Sequence, residues 1–260
     1  MGDLIRTLLR GLGQLLLTAG VVVLLLLVYE VYVTNIFAAR KQHEVAERTE
    51  HSWETRTGGR LPLPGAADPT IPLGQGIANL YIPRLGRDFH FFVVQGSSVP
   101  TESQLDEGPA HYAGTALPGR VGNFAVAGHR VGKGEPFLNL DKLQPGDPIV
   151  VETKTDWYVY RVKGRLHGLE KPDSDGIAGR EIVEPSDGAV VAPVPDHPGR
   201  RPTEALMTLT TCTPKFTAAQ RMVVHASLER SATVRVAATS GSAVLRMPAA
   251  ISALYSSEAN

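Results

Sequence analysis

The chain has 260 residues, with 26 basic and 26 acidic side chains and a formal net charge of zero, so no basic excess points to nucleic acid or an anionic lipid surface. Hydrophobic residues make up 43%, enough for a packed core in one or two domains, although part of that share belongs to a single N-terminal block. One cysteine excludes an intramolecular disulfide, so packing alone must hold the folded part together.

Residues 12–33 read LGQLLLTAGVVVLLLLVYEVYV. A helix needs about 20 apolar residues to cross roughly 30 Å of hydrocarbon, and this stretch supplies them. Gln14 and Glu30 lie near its ends, and Tyr29 and Tyr32 suit an interfacial aromatic belt. A core helix would show polar residues at helical spacing, and 15–29 shows almost none. A cleaved signal peptide would have a shorter apolar core and a clean small-residue cleavage site, for which 35–39 is a poor candidate. Arg6 and Arg10 precede the stretch, while Arg40 and Lys41 follow it with Glu30 and Glu44, so the charge bias is weak and leans towards the N-terminus inside. The expected organisation is a cytoplasmic stub at 1–11, a single-pass anchor at 12–33 and an extracytoplasmic spacer at 34–76. Within the spacer, the polar stretch 40–57 continues the helix for a few turns. The Pro- and Gly-rich stretch 58–76 is either extended or an ordered arm on the domain.

A catalytic or binding domain is expected at 77–230, followed by a Ser-, Ala-, Thr- and Gly-rich tail at 231–260 in which 233–236 could pair on a sheet edge. Strand-like runs fall at 78–82, 89–94 and 123–127, with a helical turn at 103–108. Pro136 opens a segment with Phe137, Leu140 and Leu143 at helical spacing, which predicts a short helix over 136–143. Residues 148–153 and 156–167 read as a hairpin, and 168–202 as a long loop with Ile182, Val183, Val190 and Val191 as its apolar points. The last strand pair is 206–211 and 221–228. Many short strands with one or two short helices predict an all-β barrel or sandwich.

An exported protein usually pairs its cysteines or dispenses with them, so one unpaired thiol there is either inert core or a nucleophile. Cys212 ends an apolar run just before Pro214, where laddering must stop and a thiol can face a groove. Arg221 opens the next strand after an eight-residue loop, and a hairpin of that length sets the two side by side. A guanidinium there can stabilise an oxyanion formed at a carbonyl under attack. A thiol nucleophile also gains from a histidine that moves protons. Of the eight histidines, His43 and His51 lie near the spacer, His197 in a proline-rich loop, His90 and His225 inside strands, and His167 at the end of the second hairpin strand. His111 and His129 remain open on sequence alone. His129 is favoured because it follows the small-residue run Ala125-Val126-Ala127-Gly128.

The segment TLTTCTPKFTAAQR at 208–221 resembles the signature of the sortases, membrane-anchored cysteine transpeptidases of Gram-positive bacteria, whose pattern is T-L-x-T-C with a downstream Arg. NFAVAGHR at 123–130 is similar to the family's histidine motif, and the proline two residues after the cysteine resembles the class E sortases of high-GC actinobacteria. The likeness covers 77–230. It implies an eight-stranded sortase-type β-barrel with one or two short helices, preceded by a transmembrane helix in the cell membrane, with the catalytic domain outside. It implies His129 as general acid/base, Cys212 as nucleophile and Arg221 as oxyanion stabiliser or binder of the substrate backbone. Thr211 is then a residue that orients the bound peptide, and Tyr112 a contributor to a preference for Leu-Ala-x-Thr-Gly over Leu-Pro-x-Thr-Gly signals. The implied reaction, that of a thiol peptidase of hydrolase class working as a transpeptidase, cleaves a surface protein's sorting signal between Thr and Gly through a thioester. The protein is then passed to a peptidoglycan amine, with no cofactor.

The rival readings are an anchored β-domain that binds a wall component with Cys212 merely buried, and a hydrolytic thiol protease with water as acceptor. No metal centre is expected, because HExxH, CxxC and close histidine pairs do not occur. The acidic stretch 170–184 could attract a hard cation but reads better as a solvated loop.

Overall fold

A computed structural model describes residues 2–29, 34–55, 71–154, 156–165, 168–229, 234–235 and 253–254. The N-terminal helix α1 spans Gly2–Val28, and its apolar portion Ile5–Val28, with mean hydropathy 2.4, is long enough to cross a bilayer. The apolar helix therefore starts earlier than the expected span at 12–33, whose last four residues lie outside the described ones.

Eight strands close a barrel. In chain order they are β1 (Gly76–Tyr81), β2 (His90–Gln95), β3 (Ala110–His111), β4 (Gly122–Ala127), β5 (Pro148–Glu152) and β6 (Asp156–Val162), then, after β7 (Arg180–Val183), β8 (Ala205–Thr213) and β9 (Gln220–Leu228). Their order around the barrel is β6-β5-β1-β2-β3-β4-β8-β9, and β9 pairs back onto β6. The β2–β3 and β4–β8 pairs are parallel and the other barrel pairs antiparallel. β7 lies outside the ring, on the first half of β9. β10 (Val234–Arg235) adds to the edge of β6, where the sequence allowed an edge pairing at 233–236.

Side chains alternate across each strand, and the alternation defines an inside and an outside. Phe124 and Val126 of β4, Met207 and Leu209 of β8, and Met222, Val224 and Ala226 of β9 fill the interior with Leu80, Ile149, Val151 and Tyr160. The intervening residues Thr208, Thr210 and Cys212 of β8 therefore point outward, as do Val223 and His225 of β9 and Ala125 and Ala127 of β4.

The segment after the apolar helix is more than a spacer. Thr34–Thr55 forms the 22-residue helix α2, which lies against the outer face of β1 and β2. Val45 is buried with Phe92, Val94 and Ala110, and Trp53 packs at the rim. The Gln42 side chain caps a sheet edge, its Oε1 accepting from Phe92 N at 2.8 Å and its Nε2 donating to Phe92 O at 3.2 Å. β1 can begin under α2 only because residue 76 is glycine, since a Cβ there would sit 1.9 Å from Thr49 Oγ1. Most of the Pro- and Gly-rich stretch and most of the tail lie outside the described residues.

The short α3 (Glu102–Leu105) matches the helical turn expected near 103–108, with a capping box from Thr101 and Gln104. The helix expected over 136–143 is only the 3₁₀ turn Leu140–Lys142. Phe137, Leu140 and Leu143 are nevertheless all in the core, because a three-residue spacing aligns side chains on a 3₁₀ path as well as on an α-helix. The second hairpin strand stops at Val162, well before 167, where Gly164 takes a positive φ of 91°.

Candidate active site

Three adjacent strands bring their ends to one rim of the barrel. Cys212 of β8 lies directly opposite Arg221 of β9 in the antiparallel register. Side chains so paired share a face, with Cβ atoms about 4.5–5.5 Å apart. On the other flank, β4 runs parallel to β8 with Ala127 beside Thr210. The ladder continues one step further, Gly128 N donating to Thr210 O at 3.0 Å. Two residues beyond Ala127 is His129, and two beyond Thr210 is Cys212, so the imidazole and thiol leave neighbouring strands at one level and on the same outer face. His129, Cys212 and Arg221 thus form a row across β4, β8 and β9, with Cys212 half-buried and unbridged. The loop between β8 and β9 is six residues, shorter than the eight expected, because both strands run one residue further; its first peptide bond, Thr213–Pro214, is cis.

The backbone around His129 is held from both sides. Phe137 N donates to His129 O at 3.0 Å, and Thr211 Oγ1 donates to Gly128 O at 2.8 Å. A Cβ on residue 128 would lie 2.6 Å from the Phe137 ring, so glycine is required for β4 to pass this close. Thr211 is thereby buried between strands with its hydroxyl engaged, on the opposite face from Cys212. Next to it, Arg130 is buried and ties three elements together. Its Nη1 donates to Thr213 Oγ1 at 2.7 Å and to Cys212 O at 3.4 Å, and its Nη2 meets Asp141 Oδ1 at 3.1 Å.

Tyr112 also stands on the outer face, its hydroxyl 2.8 Å from Thr210 Oγ1. Burial pushes the phenol's pKa up, while the bond to Thr210 and the nearby Arg221 guanidinium pull it down, and the bond to Thr210 sets Tyr112 beside the row. Arg221 itself donates through Nη1 to Ala218 O and Gln220 O, each at 3.2 Å.

His111, the other histidine left open by sequence, is buried on the inner side against Phe124. Its Nδ1 lies 3.0 Å from Gln95 Oε1, and its Nε2 lies 2.9 Å from Thr115 Oγ1 and 3.2 Å from Ala116 O. Burial lowers its pKa to about 4, so it is a neutral packing residue near pH 7.

The His129 ring faces α3. Its Nε2 is 3.6 Å from Asp106 Oδ1 and 3.8 Å from Glu102 Oε2. Lys133 Nζ bridges the same carboxylates, at 2.8 Å from Glu102 and 3.0 Å from Asp106. Burial is the largest influence on His129 and lowers its pKa, while Glu102 and Asp106 pull the other way. At neutral pH the ring can therefore accept a proton, and the carboxylates steady the cation that results.

Among the described residues, two clusters carry metal-ligating residue types, Glu102/Asp106/His129 and Glu181/Asp196/His225. In the first, the Lys133 ammonium already supplies the positive charge. In the second, His225 is engaged at both nitrogens, with Nε2 2.8 Å from Glu181 Oε1 and Nδ1 2.9 Å from Thr208 Oγ1. The acidic loop after 168 is stitched by ion pairs. Asp175 and Asp173 lie 2.6 and 3.6 Å from Lys163 Nζ, and Glu170 lies 3.2 Å from Arg180. A depression of about 440 Å³ between α2 and the approach to β1 shares no lining residue with the row.

Residues 80–229 match the model of the sortase domain family. The chain belongs to the sortase family. It is 37% identical over 221 residues to sortase SrtE1 of Streptomyces coelicolor, a match covering 83% of this chain and 55% of that protein. The chain thus spans little more than half the length of that relative. Among solved structures, the SrtF sortase from Corynebacterium diphtheriae superposes with a TM-score of 0.59 at 37% identity, covering 75% of this chain and 98% of that one. Sortase E1 from Streptomyces coelicolor, solved with a tripeptide in its active site, gives a TM-score of 0.50 at 37% identity, covering 62% of this chain and 91% of that one.

Within this sortase barrel, sequence reasoning missed Glu102, Asp106 and Lys133 as neighbours of the imidazole and Arg130 as the tie to the Cys212 carbonyl. Only Arg130 carried a signal, as a charge adjoining the histidine in NFAVAGHR.

Proposed function

We propose that this sortase is a membrane-anchored cysteine transpeptidase that cleaves a Leu-Ala-x-Thr-Gly or Leu-Pro-x-Thr-Gly sorting signal between Thr and Gly and joins the new carboxyl end to a peptidoglycan amine. The observation that carries this reading is the direct register of Cys212 with Arg221, flanked by His129 on the next strand. His129 takes the thiol proton as Cys212 Sγ attacks the Thr carbonyl, and Arg221 with nearby backbone amides meets the charge that develops on its oxygen. His129 protonates the departing glycine amine, leaving a thioester. The acceptor amine then attacks that thioester while His129 takes its proton, the C–S bond breaks, and His129 returns the proton to the departing sulfur.

Tyr112, bonded to Thr210 beside the sulfur, borders the groove and is the candidate for sensing Ala against Pro in the signal. Thr211 acts from behind, by holding Gly128 and thus the end of β4. With α1 in the cell membrane and the barrel outside, the enzyme would work at the outer leaflet, where a tethered substrate and a lipid-linked acceptor both lie. A half-exposed thiol on the outer face argues against the alternative of a wall-binding domain with an inert core cysteine.

The full chain in detergent, mixed with Leu-Ala-x-Thr-Gly and Leu-Pro-x-Thr-Gly peptides and a glycine amine, should yield the amine-linked product by mass spectrometry. Cys212→Ala should yield none. Release of free acid alone, unchanged by added amine, would make the protein a hydrolase instead.

A further inference from the structure

His129 Nε2 is buried and has no hydrogen-bond partner within bonding distance among the described residues. The groups facing it come from two elements, Glu102 and Asp106 from α3 and its C-terminal cap, and Lys133 from the loop after the histidine. Lys41 of α2 reaches the same place, 3.6 Å from Asp106 Oδ2. The two carboxylates differ in constraint. Glu102 has a side chain 75% exposed, whereas that of Asp106 is 30% exposed and lies between two lysines. Asp106 also has the shorter side chain, and its backbone N–H is bonded to Glu102 O at 2.8 Å.

Lys133 is itself held in an uncommon conformation. Its φ is 53°, and Gly132, Gly134 and Glu135 beside it are also positive at 69°, 82° and 39°. Non-glycine residues adopt that region at a cost, so surrounding contacts must enforce it. Here α2 supplies them, with Asn35 Oδ1 accepting from Gly134 N at 2.9 Å and Thr34 Oγ1 lying 3.4 Å from Lys133 N. The first turns of α2 therefore fix the loop that places Lys133, and Lys133 with Lys41 fixes Asp106.

We propose that Asp106 is the positioning residue for His129, accepting a hydrogen bond from Nε2–H and so presenting the unprotonated Nδ1 to the thiol of Cys212. The proposal rests on the reading of His129 as the acid/base. The present separation of 3.6 Å needs to shorten by only about 0.6 Å to reach hydrogen-bond length, and such contacts tighten when substrate binds. The partner of one imidazole nitrogen decides which nitrogen carries the proton, so the carboxylate selects the productive tautomer. It also favours the imidazolium formed in each half-reaction.

The test uses the full chain in detergent with Asp106→Ala, Asp106→Glu and Glu102→Gln, each checked for an unchanged thermal transition; Asp106→Asn replaces Asp106→Ala if the latter does not fold. Asp106→Ala should lower kcat about 10- to 100-fold with KM within twofold, the range expected when a reacting group is slightly misplaced. Asp106→Glu should recover part of the loss, and Glu102→Gln, which removes a charge near the ring but leaves the Asp106 acceptor in place, should lose less than Asp106→Ala and keep the parent tautomer. Nitrogen-15 spectra of labelled histidine, with His129→Gln for assignment, should show Nε2–H in the parent and a mixture of tautomers with a lower titration point in Asp106→Ala. A kcat within twofold of the parent, an unchanged His129 tautomer, or an equal loss in Glu102→Gln would overturn the assignment. Absence of amine transfer in the parent itself would instead overturn the transpeptidase reading, and the tautomer measurement would still decide the role of Asp106.

Discussion

Cys212 and Arg221 are direct register partners across the β8–β9 ladder, and the proposed chemistry starts from that pairing. Arginine keeps its charge at any working pH and offers a planar fork of donors, which suits a transient oxyanion. Donors of this kind are worth about 2.7–4 kcal/mol in comparable sites, so Arg221→Ala should lower kcat by about two to three orders of magnitude. Arg221 is half-exposed and its bonds are to its own loop, so the same variant should melt within a few degrees of the parent. Steady-state kinetics beside a thermal scan check both halves of that statement.

His111 gives a second prediction. Burial holds its folded pKa at about 4 against an ordinary value of 6.5, so between those values the unfolded chain binds the extra proton. Stability from this residue is complete above about pH 6.5 and is lost as pH falls towards 4. The gap corresponds to roughly 3 kcal/mol. The melting temperature should therefore fall between pH 7 and pH 5, and His111→Gln, though less stable at pH 7, should flatten that slope. An equal slope in both proteins would remove His111 as its source.

The residues of the row were legible because each sits where a strand gives way to a loop, with a local pattern around it. Cys212 precedes a proline, Arg221 opens a strand and His129 follows a run of small residues. Asp106 and Lys133 were not legible. Their place beside the imidazole depends on α3, α2 and the 132–135 loop folding onto one another, and nothing local to either residue encodes that meeting.

Among the elements, the strands that alternate cleanly were readable from sequence, and β1, β2, β4, β5, β8 and β9 fall within one or two residues of the expected runs. β3 was missed because it has only two residues, and β7 because its burial is partial and its neighbours are polar. The helix expected at 136–143 failed for a different reason: spacing reports which side chains are buried, and two kinds of helix share that spacing. α2 looked like a polar continuation because its apolar contacts are sparse. Val45, Ala38 and Ala46 carry them, aided by hydrogen bonds from Gln42 that no pattern announces.

A close joint beside the row is Gly128 against Phe137. Gly128→Ala would press a methyl group into the ring, and overpacking of that kind costs about 1–3 kcal/mol. Because His129 O is bonded to Phe137 N, relief of the clash must move His129 as well. The variant should therefore lose both melting temperature and kcat, whereas Val121→Ala, at an exposed position before the other end of β4, should lose neither. Full activity in Gly128→Ala would show that the β4 end tolerates displacement.

At the scale of the whole molecule, closure of β9 onto β6 makes the barrel a ring, and the row of His129, Cys212 and Arg221 is mounted at its rim rather than inside it. The fold class, the apolar N-terminal helix and the order of His, Cys and Arg along the chain are all features of sequence. The packing of α2 on the barrel is a feature of the structure alone. It turns the stretch after the apolar helix into a support for the site, since the first turn of α2 holds the loop that carries Lys133.

The central claim is that the Cys212 thiol, set between His129 and Arg221, takes the acyl group of a sorting signal. The most direct measurement is the intact mass of the full chain after rapid mixing with a Leu-Ala-x-Thr-Gly peptide and acid quenching. The account predicts an adduct equal to the peptide through its Thr, localised to Cys212 on digestion, lost on adding a glycine amine and absent in Cys212→Ala. No adduct in the parent under conditions where the peptide is consumed, or the same adduct in Cys212→Ala, would contradict it.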